Sequence, residues 1–286
     1  MVIEIPILGA VALGAGTVLE RFILKKKEMN VKFYQVASFL AIVLATLPLL
    51  YFFWKLDFEA FTIKNILIFA GVIASAVVAN ILIFYSEKGE EITKLEPARI
   101  LEPLFTILLA IALSFFVGGI YESNIKMIIL SLISAVALIF PYVKKRHLKI
   151  NKYIAASVLG SFFFALELVL SGLILEFYSP VTFYFFRCLF VLAVSSAIFK
   201  PSFKPLKKWK NSLIIFVTGI VWVLYRIIVY FGYLNYGVIF TTLMLMLGPI
   251  FVYILAFIFL KERCSWKNVA SSVIILGCVI IAVLTN

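Results

Sequence analysis

The sequence predicts an all-α polytopic membrane protein, with ten transmembrane helices arranged as two inverted five-helix repeats. Hydrophobic residues make up 64% of the 286-residue chain and charged residues 14%, whereas roughly 25% of a soluble domain is charged. Apolar runs of about 20 residues recur between short polar breaks, and this is the length needed to cross ~30 Å of hydrocarbon. Since no connection is long enough to fold as a soluble domain, functional chemistry is expected within the spans.

The ten predicted spans also indicate an orientation in the membrane. Their approximate limits are 2–24, 33–54, 65–86, 93–117, 124–143, 151–175, 180–199, 212–234, 237–260 and 268–285. Lys and Arg concentrate in the connections that follow odd-numbered spans, whereas the connections after even-numbered spans hold only Lys55, Lys64 and Lys126. The positive-inside rule therefore places the odd-numbered connections in the cytoplasm and both termini outside. The net charge of +12 is explained by this orientation rather than by a nucleic-acid partner.

The two halves of the chain, 1–146 and 147–286, are predicted to repeat one five-span unit. Because five is odd, the two copies cross the bilayer in opposite senses, as in many secondary transporters. The segment LEPLFTILLAIALSFF of the first half matches LGPIFVYILAFIFLKE of the second half when Pro103 is placed on Pro249. Both prolines are predicted to lie several residues inside a span, where each removes a helical hydrogen bond and bends the helix.

Two motifs of the second half carry a family resemblance. They are LGPIFVYILAFIFLKE, which closes on Glu262 with Lys261 in place of the usual glycine, and SPVTFYFFRCLF, which contains Arg187. They resemble the EamA-type repeat of the drug/metabolite transporter superfamily, and the first half resembles it more weakly. The resemblance implies a ten-helix carrier that moves small organic solutes by alternating access. Family members commonly have cytoplasmic termini, which is the opposite of the orientation that the charges predict.

The fourth span opens with charged residues, in KLEPARILEPLF. Glu96, Arg99 and Glu102 are spaced by three, so Arg99 can pair with either carboxylate along the helix. One interpretation is an internally paired structural triad at the helix entrance. The other is that Glu102 and Pro103 line a cavity near the midplane, where Glu102 takes a proton or a substrate cation and Arg99 holds its charge.

Glu167, in GSFFFALELVLSG of the sixth span, has no basic neighbour one helical turn away. An isolated carboxylate in the membrane suits proton coupling or the binding of a cation. The alternative is that Glu167 pairs with Arg187 or Arg226 from a neighbouring helix and only fixes packing.

The eighth span places Trp222, Tyr225 and Arg226 on one helix face. This face is predicted either to pack against other helices or to stack on a ring and clamp a carboxylate of the substrate. Arg187 lies about 10 Å into the seventh span, and we expect it to snorkel to the lipid headgroups as a structural residue.

Charges at other span ends are expected to be structural. Glu20 and Arg21 precede KKK at the end of the first span, where they form an expected interfacial pair, and Glu262 is expected to anchor the end of the ninth span. Small residues in GAVALGAGT (9–17) are expected to permit close helix contacts within the bundle.

Together these residues favour a secondary transporter of small organic metabolites, with amino acids as the leading class and export as the direction. The predicted substrate site comprises Arg99, Glu102, Glu167, Trp222, Tyr225 and Arg226, and proton coupling is assigned to Glu102 and Glu167. Because carboxylates and arginines occur together, the site suits zwitterions. The alternative function is a proton-coupled exporter of lipophilic cations, or drugs, centred on Glu167.

Other function classes have less support in the sequence. The connections lack a Ser-His or His-Asp constellation, a Gly-rich phosphate loop and clustered metal ligands, so an enzyme is not expected. A scaffold would not need several embedded ionisable residues. We expect no cofactor and no metal, a small-molecule substrate, the lipid bilayer of the plasma membrane as surroundings, and a monomer or homodimer.

Overall fold

The computed structural model describes residues 4–99, 101–114, 125–139, 151–260 and 266–285, and these residues are almost entirely helical. The α-helices in these ranges are α1 Glu4–Leu24, α2 Val31–Phe53, α3 Ile63–Gly89, α4 Ile92–Arg99, α5 Leu101–Ser114, α6 Ile125–Ile139, α7 Lys152–Gly172, α8 Pro180–Phe199, α9 Trp209–Tyr236, α10 Val238–Leu245, α11 Gly248–Leu255 and α12 Trp266–Thr285. A π-helical turn, Ala256–Leu260, continues α11. Within the described ranges, an isolated antiparallel β-bridge joins Leu56 to Tyr178.

Several helices begin where the sequence supplies a capping side chain. The Asn30 side chain accepts a hydrogen bond from the backbone N–H of Lys32, and Asn151 accepts from two N–H groups at the start of α7. Ser179 caps α8 in the same way, with Pro180 at the first helical position. These caps satisfy N–H groups that a helix leaves without an internal partner, so they fix where the spans start.

Length and composition allow six helices of the described residues to cross a membrane. They are Val31–Phe53, Ile63–Gly89, Lys152–Gly172, Pro180–Phe199, Trp209–Tyr236 and Val238–Phe259, the last of which runs through α10 and α11. Three shorter helices, Leu101–Ser114, Ile125–Ala137 and Val269–Leu284, are also apolar. Many large hydrophobic side chains of these helices are exposed on the outside of the bundle, as a lipid-facing surface requires.

The ninth predicted span is interrupted, because α10 ends at Leu245 and α11 begins at Gly248. Pro249 lies inside the apolar segment Val238–Phe259, as predicted, but in the first turn of α11, where a backbone N–H would have no helical partner to lose. In the fourth span, Pro103 is in α5, and the residue between α4 and α5 lies outside the described residues. The predicted bend at Pro103 therefore stays a prediction.

Helices of the two halves pack against each other throughout the bundle. In the first half, α1 contacts α9 and α11 of the second half, while α7 of the second half contacts α3 and α5 of the first. The small residues of the first span allow this approach, because a Cβ added at Gly14 would lie 3.1 Å from the backbone of Phe251. The expected role of GAVALGAGT in packing within the bundle is thus met at Gly14. The division at 146/147 stays a prediction, since it falls outside the described residues.

Candidate functional site

A cavity of about 60 Å³, here called the proline cavity, is lined by helices of both halves. Both Pro103 and Pro249 are on its wall. Polar groups on the wall are contributed by α1, α4, α5, α9 and α10, namely Thr17, Arg99, Glu102, Thr106, Tyr225, Tyr233 and Thr242. A helix that is interrupted beside a cavity, as the ninth span is, allows a membrane carrier to present polar groups inside the bilayer.

A second space of about 40 Å³, the arginine cavity, adjoins the first at Arg99. Charged and polar side chains on its wall include Glu20, Asn80, Arg99, Arg187, Trp222 and Arg226. Arg99 lines both cavities and is the side chain that they share. Five of the six predicted substrate residues therefore line one or both of these adjacent cavities, and Glu167 lines neither.

Glu102 is half-buried on the wall of the proline cavity. Within the described part of the chain its carboxylate makes no ion pair, although Arg99 and Arg226 are the nearest positive charges. Its backbone carbonyl accepts a hydrogen bond from the Thr106 hydroxyl at 2.9 Å. The Glu102 side chain is therefore placed to meet a molecule in the cavity.

Arg99 makes an ion pair with Glu87 of α3. The expected ion pair with Glu102 is not found among the described residues, and the predicted pairing with Glu96 stays a prediction because the side chain of Glu96 lies outside the described residues. Glu87 was missed because the charged run SEKGEE (86–91) has the composition of a connection, and the predicted third span ended at residue 86. The helix α3 continues to Gly89 and buries Glu87 completely.

Glu167 is completely buried and is held from two other helices. Its Oε1 atom lies 2.8 Å from Arg187 Nε, and its Oε2 atom lies 3.3 Å from Arg226 Nη1. The Tyr230 hydroxyl donates to Oε1 at 3.0 Å, and the Ser171 hydroxyl donates to the same atom at 3.2 Å. Pairing with arginines across helices, the second interpretation of this residue, is the arrangement observed, and Glu167 lines neither cavity.

Two further expectations about embedded charges are wrong. Arg187 does not snorkel to the headgroups, because only 2% of its surface is exposed and it points inward to Glu167. Glu20 and Arg21 are not an interfacial pair, since they are 4% and 5% exposed. The end of α1 that carries them is enclosed by helices from both halves, which composition alone does not reveal. The structural role predicted for Glu262 concerns a residue outside the described ranges.

The aromatic face that helical spacing predicts on α9 is present in the structure, and its residues line both cavities. The rings of Trp222 and Tyr225 lie edge to face with centroids 5.4 Å apart. Tyr225 lines the proline cavity, while Trp222 and Arg226 line the arginine cavity. The Arg226 guanidinium lies 5.4 Å from the centre of the Phe164 ring, so a cation–π contact adds to its pairing with Glu167.

Comparison with known proteins identifies the second half of the chain. Residues 151–284 match the sequence model of the EamA-like transporter family. These residues thus form an EamA-like domain. The EamA-like domain is a domain of the drug/metabolite transporter superfamily, so the resemblance carried by the two motifs is confirmed for these residues.

The fold of the chain as a whole also has a counterpart among solved structures. One crystal structure of a protein superposes with a TM-score of 0.70, covering 99% of this chain and 97% of that chain. At 13% sequence identity, this likeness shows the fold alone. No curated protein matches the sequence. The apolar helices and the EamA-like domain together indicate an integral membrane protein of a transporter family.

Proposed function

We propose that the protein is a secondary transporter that moves small organic metabolites, with amino acids as the leading class, by alternating access. The observation that carries this proposal is the pair of opposite charges, Arg99 and Glu102, on the wall of the proline cavity. A guanidinium recognises the carboxylate of an amino acid, and Glu102 is available for its ammonium group. Tyr225 on the same wall offers apolar and polar contact to a side chain.

The pattern of helix contacts supports ten spans in two inverted repeats. Counting α4 with α5 and α10 with α11, each half has five helical units, and each unit of one half has a counterpart in the other. In chain order, the counterpart of α1 is α7, that of α2 is α8, that of α3 is α9, that of α5 is α11 and that of α6 is α12. If every helix is replaced by its counterpart, the α1–α9 contact becomes α7–α3, the α1–α11 contact becomes α7–α5, and the α2–α9 contact becomes α8–α3. The α2–α8 and α6–α12 contacts convert into themselves. A two-fold axis in the membrane plane would produce this pattern.

Alternating access needs a closure at each end, and loop contacts between the halves provide candidates. At one end Lys26 Nζ donates to Asn211 Oδ1 at 2.8 Å. At the other end the Asp57 N–H donates to the Phe177 carbonyl at 2.9 Å, and Lys55 Nζ donates to the Glu176 carbonyl at 2.9 Å. With the orientation that the charges predict, the first closure is cytoplasmic, the second is external, and both termini are outside the plasma membrane. Export is the direction that the family resemblance suggests.

The geometry gives less support to an exporter of lipophilic cations centred on Glu167. A cation at that carboxylate would have to displace two guanidinium groups and two hydroxyls. Glu167 is better suited to positioning Arg226, which does line a cavity. Of the two residues that the sequence assigns to proton coupling, Glu102 has the more accessible position.

The proposal is tested by thermal stability of the purified protein with ligands, because binding to the folded state raises the melting temperature. The ligands are L-amino acids, their amides, which lack the carboxylate, their N-acetyl derivatives, which lack the ammonium, and tetraphenylphosphonium. We expect stabilisation by intact amino acids alone, its loss in Glu102→Gln, and its retention in Glu28→Gln, which alters an exposed carboxylate. Stabilisation by tetraphenylphosphonium but by no amino acid would contradict the proposal.

A further inference from the structure

A second group of embedded carboxylates shares Arg99 with the proline cavity. Glu20 of α1 and Glu87 of α3 are both buried, and Glu20 is on the wall of the arginine cavity. Arg99 donates to Glu87 Oε1 and also faces Glu20. Neither carboxylate belongs to the substrate site proposed above, yet burying a charge in the membrane is costly and is usually retained for function.

The hydrogen bonds of this group are incomplete among the residues that the structure describes. Glu87 Oε2 is a buried acceptor without a donor, and the hydroxyl of Tyr34 is a buried donor without an acceptor. Tyr34 is completely buried next to both Glu20 and Glu87. A protonated carboxyl group is a hydrogen-bond donor as well as an acceptor. The hydrogen bonds of this group could therefore be completed in one protonation state of Glu20 and Glu87.

Several charged or titratable groups face the pair from the surrounding helices. They are Arg21 of α1, Tyr34 of α2, Arg99 of α4, Tyr184 and Arg187 of α8, and Arg226 of α9. Arg187 and Arg226 are engaged with Glu167. Arg99 is the cation that the pair shares with the proline cavity, so a change in the charge of the pair alters the counter-charge available to Glu102 and to a substrate carboxylate.

We propose that Glu20 and Glu87 form the proton-coupling site of this protein, connected to the substrate cavity through Arg99. A proton passes between a carboxylate oxygen of the pair and water that enters through the arginine cavity. The inference rests on the proposed transport function for its purpose, but the exchange of the proton itself does not depend on the substrate.

The first experiment measures protonation without substrate. Infrared difference spectra of the full-length protein in lipid follow the carbonyl stretch of protonated carboxylic acids between acidic and alkaline buffer. We expect a titrating band in wild type and in Glu28→Gln, a weaker band in Glu20→Gln and in Glu87→Gln, and its return in Glu20→Asp. An identical band in all of these proteins would overturn the proposal, whatever the substrate is.

The second experiment measures coupling in proteoliposomes with a radiolabelled mixture of amino acids. For each protein, the flux with a pH gradient is divided by its own counterflow without one. We expect the gradient to accelerate flux in wild type and Glu28→Gln but not in Glu20→Gln. Equal acceleration in Glu20→Gln overturns the coupling site, whereas absent counterflow in wild type, with the infrared result intact, overturns the proposed function instead.

Discussion

Replacing Glu167 with glutamine is predicted to destabilise the protein strongly. The carboxylate is completely buried between Arg187 at 2.8 Å and Arg226 at 3.3 Å, and both guanidinium groups are almost fully buried. Glutamine has the same shape but no charge, so the two arginines would face each other without a counter-ion. Removing one partner of a buried ion pair costs ~3–5 kcal/mol, most of it the penalty of the charge left behind.

The assay is thermal unfolding of purified protein in one detergent. Each kcal/mol lowers the melting temperature by roughly 2–4 °C in a protein near this size, so Glu167→Gln should melt at least ~6 °C lower. The double variant Glu167→Gln with Arg187→Met removes one excess charge and should recover part of the loss. Glu28→Gln, in an exposed pair, should melt like wild type. A Glu167→Gln protein as stable as wild type would refute the assignment of this carboxylate to a structural network.

Three further predictions address the fold and one exposed ion pair. Gly14→Val should lower the free energy of unfolding by ~1–3 kcal/mol, because a Cβ added at this position would lie 3.0 Å from the Phe251 side chain. A melting temperature equal to that of wild type would contradict the close α1–α11 contact. Pro249→Ala should change the melting temperature little, since the proline occupies the first turn of α11, whereas a large change would indicate a role in bending. Hydrogen bonds from Lys208 and Asn211 hold the pKa of the exposed Glu28 carboxyl below its usual range. The ion pair between Glu28 and Lys208 should therefore persist as pH falls until this lowered pKa is reached. NMR titration of labelled glutamate measures the pKa of Glu28 in wild type and in Lys208→Gln, where it should be higher. Equal pKa values in the two proteins would contradict this prediction.

The spans could be predicted closely because membrane crossing imposes a local requirement on composition. The predicted span 33–54 corresponds to α2 Val31–Phe53, and 180–199 corresponds to α8 Pro180–Phe199. Pro249 likewise marked an interrupted span. What sequence could not show is where that helix breaks, because the same proline is compatible with a kink in mid-helix and with the first turn of a new helix.

The charge network could be predicted only in part, because its partners come from distant segments. Arg99 has Glu102 three residues away but pairs with Glu87, and the only local signal was the helical spacing from Asn80 to Glu87. Glu20 had the composition of an interfacial residue because lysines follow it, yet neighbouring helices enclose it. Burial of a charge depends on which helices pack around it, and that information is not local.

The most direct test of the central claim is counterflow of a labelled amino acid in proteoliposomes, with Glu102→Gln and Glu28→Gln beside wild type. If Arg99 and Glu102 receive the carboxylate and the ammonium of a zwitterion, wild type and Glu28→Gln will exchange the label and Glu102→Gln will lose most of this exchange. Unlabelled amino acids should compete for exchange, while their amides and N-acetyl derivatives should not. Full exchange by Glu102→Gln, or equal competition by the amides, would contradict the account.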